Sequence, residues 1–255
     1  MGTRRVALVL GATGDIGGAV ARALAGDGVD IVLSGRDTAG LHALAATIEG
    51  SSVLPLSADL TEDGAAAKLV ADAAAAFGRI DILVTAAAQF RPGTMLDLSA
   101  TDWTEGFAAM FFGAVQAVQA AWPHLAATRG HAILVSGVFA IRPSARSALP
   151  SAIAAALLNF AKSSAELGLR DGVSVNCVLP GPVAGRRLDE QLVRFGAARG
   201  LDPVAAAQAY AAQFGIDRIG APADVAKAVR FLVSEDAAQI RGASLVIDGG
   251  ITRAM

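Results

Sequence analysis

A chain of 255 residues that is 54% hydrophobic and 17% charged can form one sizeable α/β domain and leaves little chain for a second. Its formal net charge of -2 gives no electrostatic reason to expect nucleic acid or an anionic membrane as partner. The single cysteine, Cys177, excludes an internal disulfide framework and suits a reducing, cytoplasmic setting. The apolar run after Arg4 and Arg5 stops at Gly11, too short for a signal-peptide core. The least charged long stretch, 106–125, carries Gln116, Gln119, Pro123 and His124, which fits a helix buried on much of its surface rather than a membrane span.

Strand and helix patterns alternate along the chain. A short apolar run over 6–10 ends in a glycine-rich turn, and small and apolar residues then recur at helical spacing over 15–26. A strand at 31–34 precedes a helix at 38–49, a strand at 53–56 precedes a helix at 62–77, and a strand at 80–85 precedes a long helical pattern at 101–127. The fifth strand contains 133–135 and leads into a helix at 150–169; 173–178 is the sixth, and 245–247 is the last, after a helix at 222–234. This rhythm predicts a single Rossmann-type, doubly wound parallel sheet of about seven strands flanked by helices. Between 180 and 220 the rhythm breaks in a segment rich in Ala, Gln and Arg. Its place after the carboxyl end of a strand suits a substrate lid at about 183–217.

The first turn carries the chemistry. Glycines at 11, 14 and 17 let the backbone turn sharply and come close to a ligand. The N-terminus of the following helix offers free amide donors and a positive dipole end to a pyrophosphate. A tight strand-to-helix connection without a ligand accounts for the same glycines. The spacing resembles the T-G-x-x-x-G-x-G turn of the short-chain dehydrogenase/reductase family. Asp15 stands where that family usually has glycine; a carboxylate there is unfavourable beside a phosphate, but it complements the helix dipole if its side chain points away.

The resemblance runs from about residue 4 to 250. It implies cofactor contacts from Gly11, Thr13, Gly14, Asp15, Ile16 and Gly17, and from Asp59 and Leu60 at the adenine edge. Ala86 and Ala87 follow the fourth strand, where the family's Asn-Asn-Ala-Gly has become Thr85-Ala86-Ala87-Ala88. Pro180, Gly181 and Val183 match the turn that meets the nicotinamide carboxamide. Arg218-Ile-Gly-Ala-Pro-Ala-Asp224 and Val246-Ile-Asp-Gly-Gly250 match the carboxyl-terminal blocks. After the second strand, Gly35 occupies the place of the carboxylate that selects NAD, and Arg36 follows. A guanidinium pairs well with a phosphate, so NADP (NADPH) is favoured over NAD, with Asp37 partly offsetting the charge; a solvated surface arginine is the plainer alternative.

Members of the family usually work with an Asn, Ser, Tyr and Lys. The matching positions here hold Met110, Gly137, Pro150 and Ala154. Ser136 adjoins the vacant serine position, but alternation along a strand points it elsewhere, and Lys162 falls on an outer face of its helix. Tyr210, the only tyrosine, lies in the expected lid as a weak replacement acid or as packing. His42, His124 and His131 are peripheral. The expected substrate pocket takes Gln89, Met110, Gly137, Phe139, Arg142, Pro150, Arg186 and Tyr210, a smoother and more apolar cavity than the family's.

The resulting expectation is an atypical NADPH-dependent ketoreductase for a bulky apolar ketone, aromatic or polycyclic, with the proton supplied by substrate or water. A non-redox enzyme (cyclase, isomerase or dehydratase) on the same scaffold and a catalytically silent binding protein are the alternatives. The partners expected are a small-molecule substrate and further copies of the chain, as dimer or tetramer. No metal site is expected.

Overall fold

The computed structural model describes residues 4–87 and 91–253; Ala88 and Gln89, the latter assigned to the substrate pocket, lie outside the described residues. Among the described residues the strands β1 (Val6–Leu10), β2 (Asp30–Gly35), β3 (Val53–Ser57), β4 (Ile82–Thr85), β5 (His131–Val135), β6 (Ser174–Pro180) and β7 (Ser244–Ile247) form one parallel sheet in the order β3-β2-β1-β4-β5-β6-β7. The register runs Leu10 to Ser34 on one side of β1 and Leu10 to Thr85 on the other. The chain moves outward from β1 in one direction, then restarts at β4 and moves the other way. That reversal opens a crevice between the carboxyl ends of β1 and β4.

Both faces of the sheet are covered, which is why β1 reads as an unbroken apolar run and is buried throughout. Leu8, Leu10, Leu83 and Leu134 meet α3 (Ala65–Phe77), α5 (Gly113–Thr128) and α6 (Ala148–Asp171) through Leu69, Val70, Val118, Leu125, Ile153 and Leu157. Ala7, Val9, Leu33 and Val84 meet α1 (Asp15–Gly26), α2 (Thr38–Ala45) and α9 (Pro222–Leu232) through Val20, Leu24, Leu41, Val225 and Val229. Cys177 is fully buried between the first face and β7, and burial pushes its thiol up to about 12. Alkylation of the native protein at pH 8 should therefore run about 10³-fold slower than that of the unfolded chain, read by mass spectrometry after timed quenching.

Helix ends differ from the periodicity for local reasons. α2 stops at Ala45 rather than 49, because Thr47 and Ile48 turn back onto Leu44 and Ala45 in tight i-to-i-3 bonds. α3 begins at Ala65 rather than 62, because Asp59 holds a turn through Thr61 and Gly64 has φ 77°. The long pattern at 101–127 is divided into α4 (Ala100–Phe107), a π-helical turn (Ala108–Phe112) and α5. Two glycines flank the extra residue. A Cβ on Gly106 would meet Leu149 of α6 at 2.8 Å, and one on Gly113 would meet Leu60 at 2.9 Å. The wider turn lets both glycines make these close contacts with different neighbours, and hydrophobic periodicity does not register a single inserted residue.

Between β6 and α9 the chain forms α7 (Arg186–Ala197) and α8 (Pro203–Phe214). Val183 and Gly220 pair across the base of this excursion: Ala184 N–H donates to Gly220 O at 2.8 Å and Gly220 N–H to Pro182 O at 3.0 Å. The stem of the expected lid is thus closed on itself. No helix among the described residues is long and apolar enough to cross a membrane.

Candidate active site

The carboxyl ends of the central strands present little beyond backbone. β1 runs into Gly11, β2 ends in Gly35, β4 runs into Ala86, and Gly137 and Gly181 follow β5 and β6. At the first of these only glycine fits. Gly11 has φ 72°, and a Cβ on it would lie 2.6–2.7 Å from the backbone of Ala86 and Ala87. A Cβ on Gly17 would lie 2.2 Å from Gly11 O, so the turn folds onto the first turn of α1. Gly14 N–H closes it onto Gly11 O at 3.0 Å. Ile16, Ala86, Val135 and Val183 pack at the edge of one apolar cluster. The expected contacts 11–17, 86–87 and 183 therefore meet at the crevice, with the N-terminus of α1 opening onto it.

One end of the crevice is polar. Arg36 is exposed at the end of β2, and Asp37 beside it caps α2, accepting from Gly40 N–H at 3.0 Å. The Asp37 carboxylate is thus engaged by the helix. A Cβ on Gly35 would meet only Thr13 Oγ1 at 3.5 Å and Leu41 Cδ2 at 3.9 Å, so Thr13, Gly35 and Arg36 share one small, open surface. The Thr61 backbone and hydroxyl hold the Asp59 carboxyl below its usual range, and the charge of Arg36 adds to them.

Asp15 turns its carboxylate toward the start of α7. A Cβ on Gly185 would fall 2.2 Å from Asp15 Oδ2, so the carboxylate fills the space beside the residue that starts α7. Gly185 has φ 146°, a further reason for glycine there. Arg187, in the first turn of α7, has its pKa lowered by burial, against which the ionisable phenol of Tyr210 and the charge of Asp15 work. The start of the expected lid is therefore held against the first turn of α1.

At the other end of the crevice, Met110 lies in the π turn and shares a cavity of about 10 Å³ with Leu60, Thr85, Ala87 and Val135, roughly the room of one water. A Cβ on Gly137 would meet only Pro180 O at 3.7 Å. Pro150 is the third residue of α6, where no backbone donor is needed, and Ala154 is buried one turn further on. Ser136 turns its hydroxyl to Ala154 O at 2.9 Å and so ties β5 to α6. Lys162 Nζ is bound to Gly242 O at 2.9 Å. Tyr210 packs edge-on against Phe195 and Phe214, and its hydroxyl accepts from Gln191 at 3.2 Å. Burial pushes the phenol up, against that hydrogen bond and the charge of Arg187. This gives Tyr210 the part of a hinge pin between α7 and α8. Arg186 is exposed at the start of α7, while Phe139 and Arg142 come from the turn after Gly137.

The profile of the enoyl-(acyl carrier protein) reductase family matches residues 11–252. The chain belongs to the short-chain dehydrogenase/reductase family. One relative, cis-4-hydroxycyclohexanecarboxylate dehydrogenase of Sinomonas cyclohexanicum, is 33% identical over 252 residues, 97% of this chain and 96% of its own. Among solved structures, L-sorbose reductase from Gluconobacter frateurii, complexed with NADPH and L-sorbose, superposes with a TM-score of 0.94 at 26% identity, covering 99% of this chain and 98% of that one. A short-chain oxidoreductase from Pseudomonas aeruginosa described as containing an atypical catalytic center superposes at 0.92 and 26% identity, covering 98% of each chain.

Within this family of oxidoreductases, local sequence reasoning missed two contributors. Gly185 is one, and its signal is a glycine directly before Arg186-Arg187 in a segment already read as turn. Arg253, in the tail after β7 beside Arg142 and Phe214, is the other and had no signal in its neighbours.

Proposed function

We propose that the chain is an NADPH-dependent ketoreductase acting on a bulky apolar ketone, aromatic or polycyclic, with the proton drawn from the substrate or a water. The observation that carries this reading is the crevice between β1 and β4, floored by a turn whose backbone can close onto residues 86–87 and onto α1 only because residues 11 and 17 lack a Cβ. Residues 11–17, 86–87 and 180–183 would hold the dinucleotide, with Thr13 and Arg36 at the adenosine 2′-phosphate. Bound there, NADPH would supply the hydride. The protein would contribute placement of the two reactants, itself a large part of such an acceleration. Met110, Gly137, Pro150 and Ala154 would shape an apolar surface at the reacting carbon rather than move a proton. Residues from about 183 to 217 would form the lid, with Tyr210 packing it.

Asp15 favours a second reading. A carboxylate at the turn meant for a pyrophosphate suits a non-redox enzyme that uses the crevice without the dinucleotide. Titration with NADPH and NADH, read by nicotinamide fluorescence, separates the two. NADPH bound and then oxidised stoichiometrically by a candidate ketone supports the first reading; if neither dinucleotide binds, that reading is removed.

The same titration tests the phosphate assignment. Arg36→Ala should weaken NADPH by about tenfold or more while leaving NADH within about twofold. Gly35→Asp, for which there is room beside Thr13, should reverse the preference. Equal losses for both dinucleotides would place the 2′-phosphate elsewhere. Homo-oligomer formation is proposed through two apolar surfaces, Phe112 with its neighbours Phe107 and Phe111, and the edge strand β7 with Leu245 and Val246 exposed. A cytoplasmic location fits the lone buried thiol.

A further inference from the structure

Beside the reaction end of the crevice, a second cleft of about 620 Å³ opens between the turn after β5, the end of α8 and the chain at 251–253. Arg142 and Arg253 stand in its wall, together with Gln213 and Thr252. The rest of the wall includes the apolar Ile141, Phe214 and Ile251. No acidic side chain among the described residues lines it. We propose that this cleft binds the anionic group, in the first instance a carboxylate, of a substrate whose remaining body is apolar. The inference rests on the reading of the chain as a ketoreductase and names the class of substrate: an oxo acid on an alicyclic or aromatic frame.

Two cations with donors to spare point to an anion. Arg142 spends Nη1 on Ile251 O at 3.0 Å, which positions the guanidinium. Its other N–H groups, and all those of Arg253, meet no acceptor among the described residues, and neither arginine has an ion pair there. The acid of the same tail, Asp248, does not neutralise them. Burial works against its charge, but its two oxygens accept from Gly250 N–H and Thr252 N–H at 2.8 Å each, and these bonds hold its carboxyl below the usual range. Asp248 thus fixes the tail that carries Arg253. Thr252 Oγ1 is buried with no partner among the described residues and adds a third donor. Two guanidinium groups without counter-charge in one concave site raise the local potential, and an anion with two oxygens relieves it through paired N–H donors.

The place of the cleft connects it to the chemistry. Arg142 and Ile141 both donate their N–H groups to Val138 O, in the single turn that starts at Gly137. Ile141, 42% exposed, projects beside the arginine as an apolar contact for the body of the substrate. On the facing side, Phe214 lies one helical turn beyond Tyr210. The anionic group would sit at the mouth, with the carbonyl directed inward.

Two inert probes test this without turnover. Cyclohexanecarboxylate and its neutral isostere cyclohexanecarboxamide are titrated into the full-length protein by calorimetry, with and without NADPH. Wild type should bind the carboxylate about tenfold or more tightly than the amide. Arg253→Gln, which removes no side-chain hydrogen bond among the described residues, should bring the two affinities within about threefold. Equal affinities in wild type, a preference unchanged by Arg253→Gln, or no binding of either probe at about 10 mM would overturn the assignment. Since neither probe is reduced, loss of the NADPH reading leaves this result standing. A normal NADPH titration with no carboxylate preference overturns the cleft alone.

Discussion

Replacing Met110, Gly137, Pro150 and Ala154 together, as Met110→Asn, Gly137→Ser, Pro150→Tyr and Ala154→Lys, should raise kcat/KM for a simple ketone by about 10²- to 10⁴-fold, roughly 3 to 5 kcal/mol of barrier. The backbone at 137 and the spacing on α6 suit the exchange. A side chain at 137 has open space in front of Pro180 O. Residues 150 and 154 are four apart on α6 and so share a face, which would bring the phenol and the ammonium together. A phenol with pKa near 10 is a poor proton donor until a cation assists it, so both changes are needed at once. Losing Pro150 costs α6 nothing in hydrogen bonding, since the third residue of a helix has no intrahelical acceptor for its N–H. The bond from Ser136 to Ala154 uses the backbone carbonyl and survives the substitution. Steady-state rates with NADPH, compared against single substitutions, provide the measurement. Unaltered turnover in a variant that still binds NADPH would mean that hydride transfer does not take place beside these positions, and would turn attention to the non-redox reading.

The second large effect concerns stability. Gly17→Ala should destabilise the fold by about 3 kcal/mol and abolish dinucleotide binding. The added Cβ would lie 2.2 Å from Gly11 O, 2.8 Å from Gly11 C and 3.0 Å from Ala12 Cα, all of them backbone. Nothing there can rotate aside. The helix cannot withdraw either, because Val20 and Leu24 are buried against the sheet and α9. Gly26→Ala is the matched control. It ends the same helix, a Cβ there meets nothing within 4 Å, and its φ is not positive. That change should be neutral or stabilising by up to about 1 kcal/mol. Guanidinium midpoints for the two variants should therefore move in opposite directions or one should not move; equal losses would show that the turn is looser than its contacts require.

Periods of two and of 3.6 residues made the sheet and most of its helices legible, because a strand covered on both faces must be apolar throughout and a covering helix must be apolar on one side. The crevice was legible for a related reason. Glycines 11, 14 and 17 are neighbours in sequence, and their spacing records a local backbone constraint. What escaped is non-local. The π turn at Ala108–Phe112 answers to Leu149 and Leu60, from two other elements. The cleft of Arg142 and Arg253 joins residues 111 positions apart through one bond, from Arg142 to Ile251. The direction of Asp15 depends on a residue 170 positions later. Even Ser136, placed correctly at the end of β5, found its partner in a helix that no alternation pattern could point to.

That last dependence has a consequence for how this chain can vary. Positions 15 and 185 occupy one shared volume, so the two are coupled in one direction: a side chain at 185 displaces the Asp15 carboxylate, whereas a smaller residue at 15 leaves Gly185 undisturbed. Gly185→Ala is therefore penalised twice, by the collision with Asp15 and by φ 146°, and Asp15→Gly relieves only the first of these. A design that borrows a side chain at 185 from a relative without also shrinking residue 15 will inherit a collision instead of a contact.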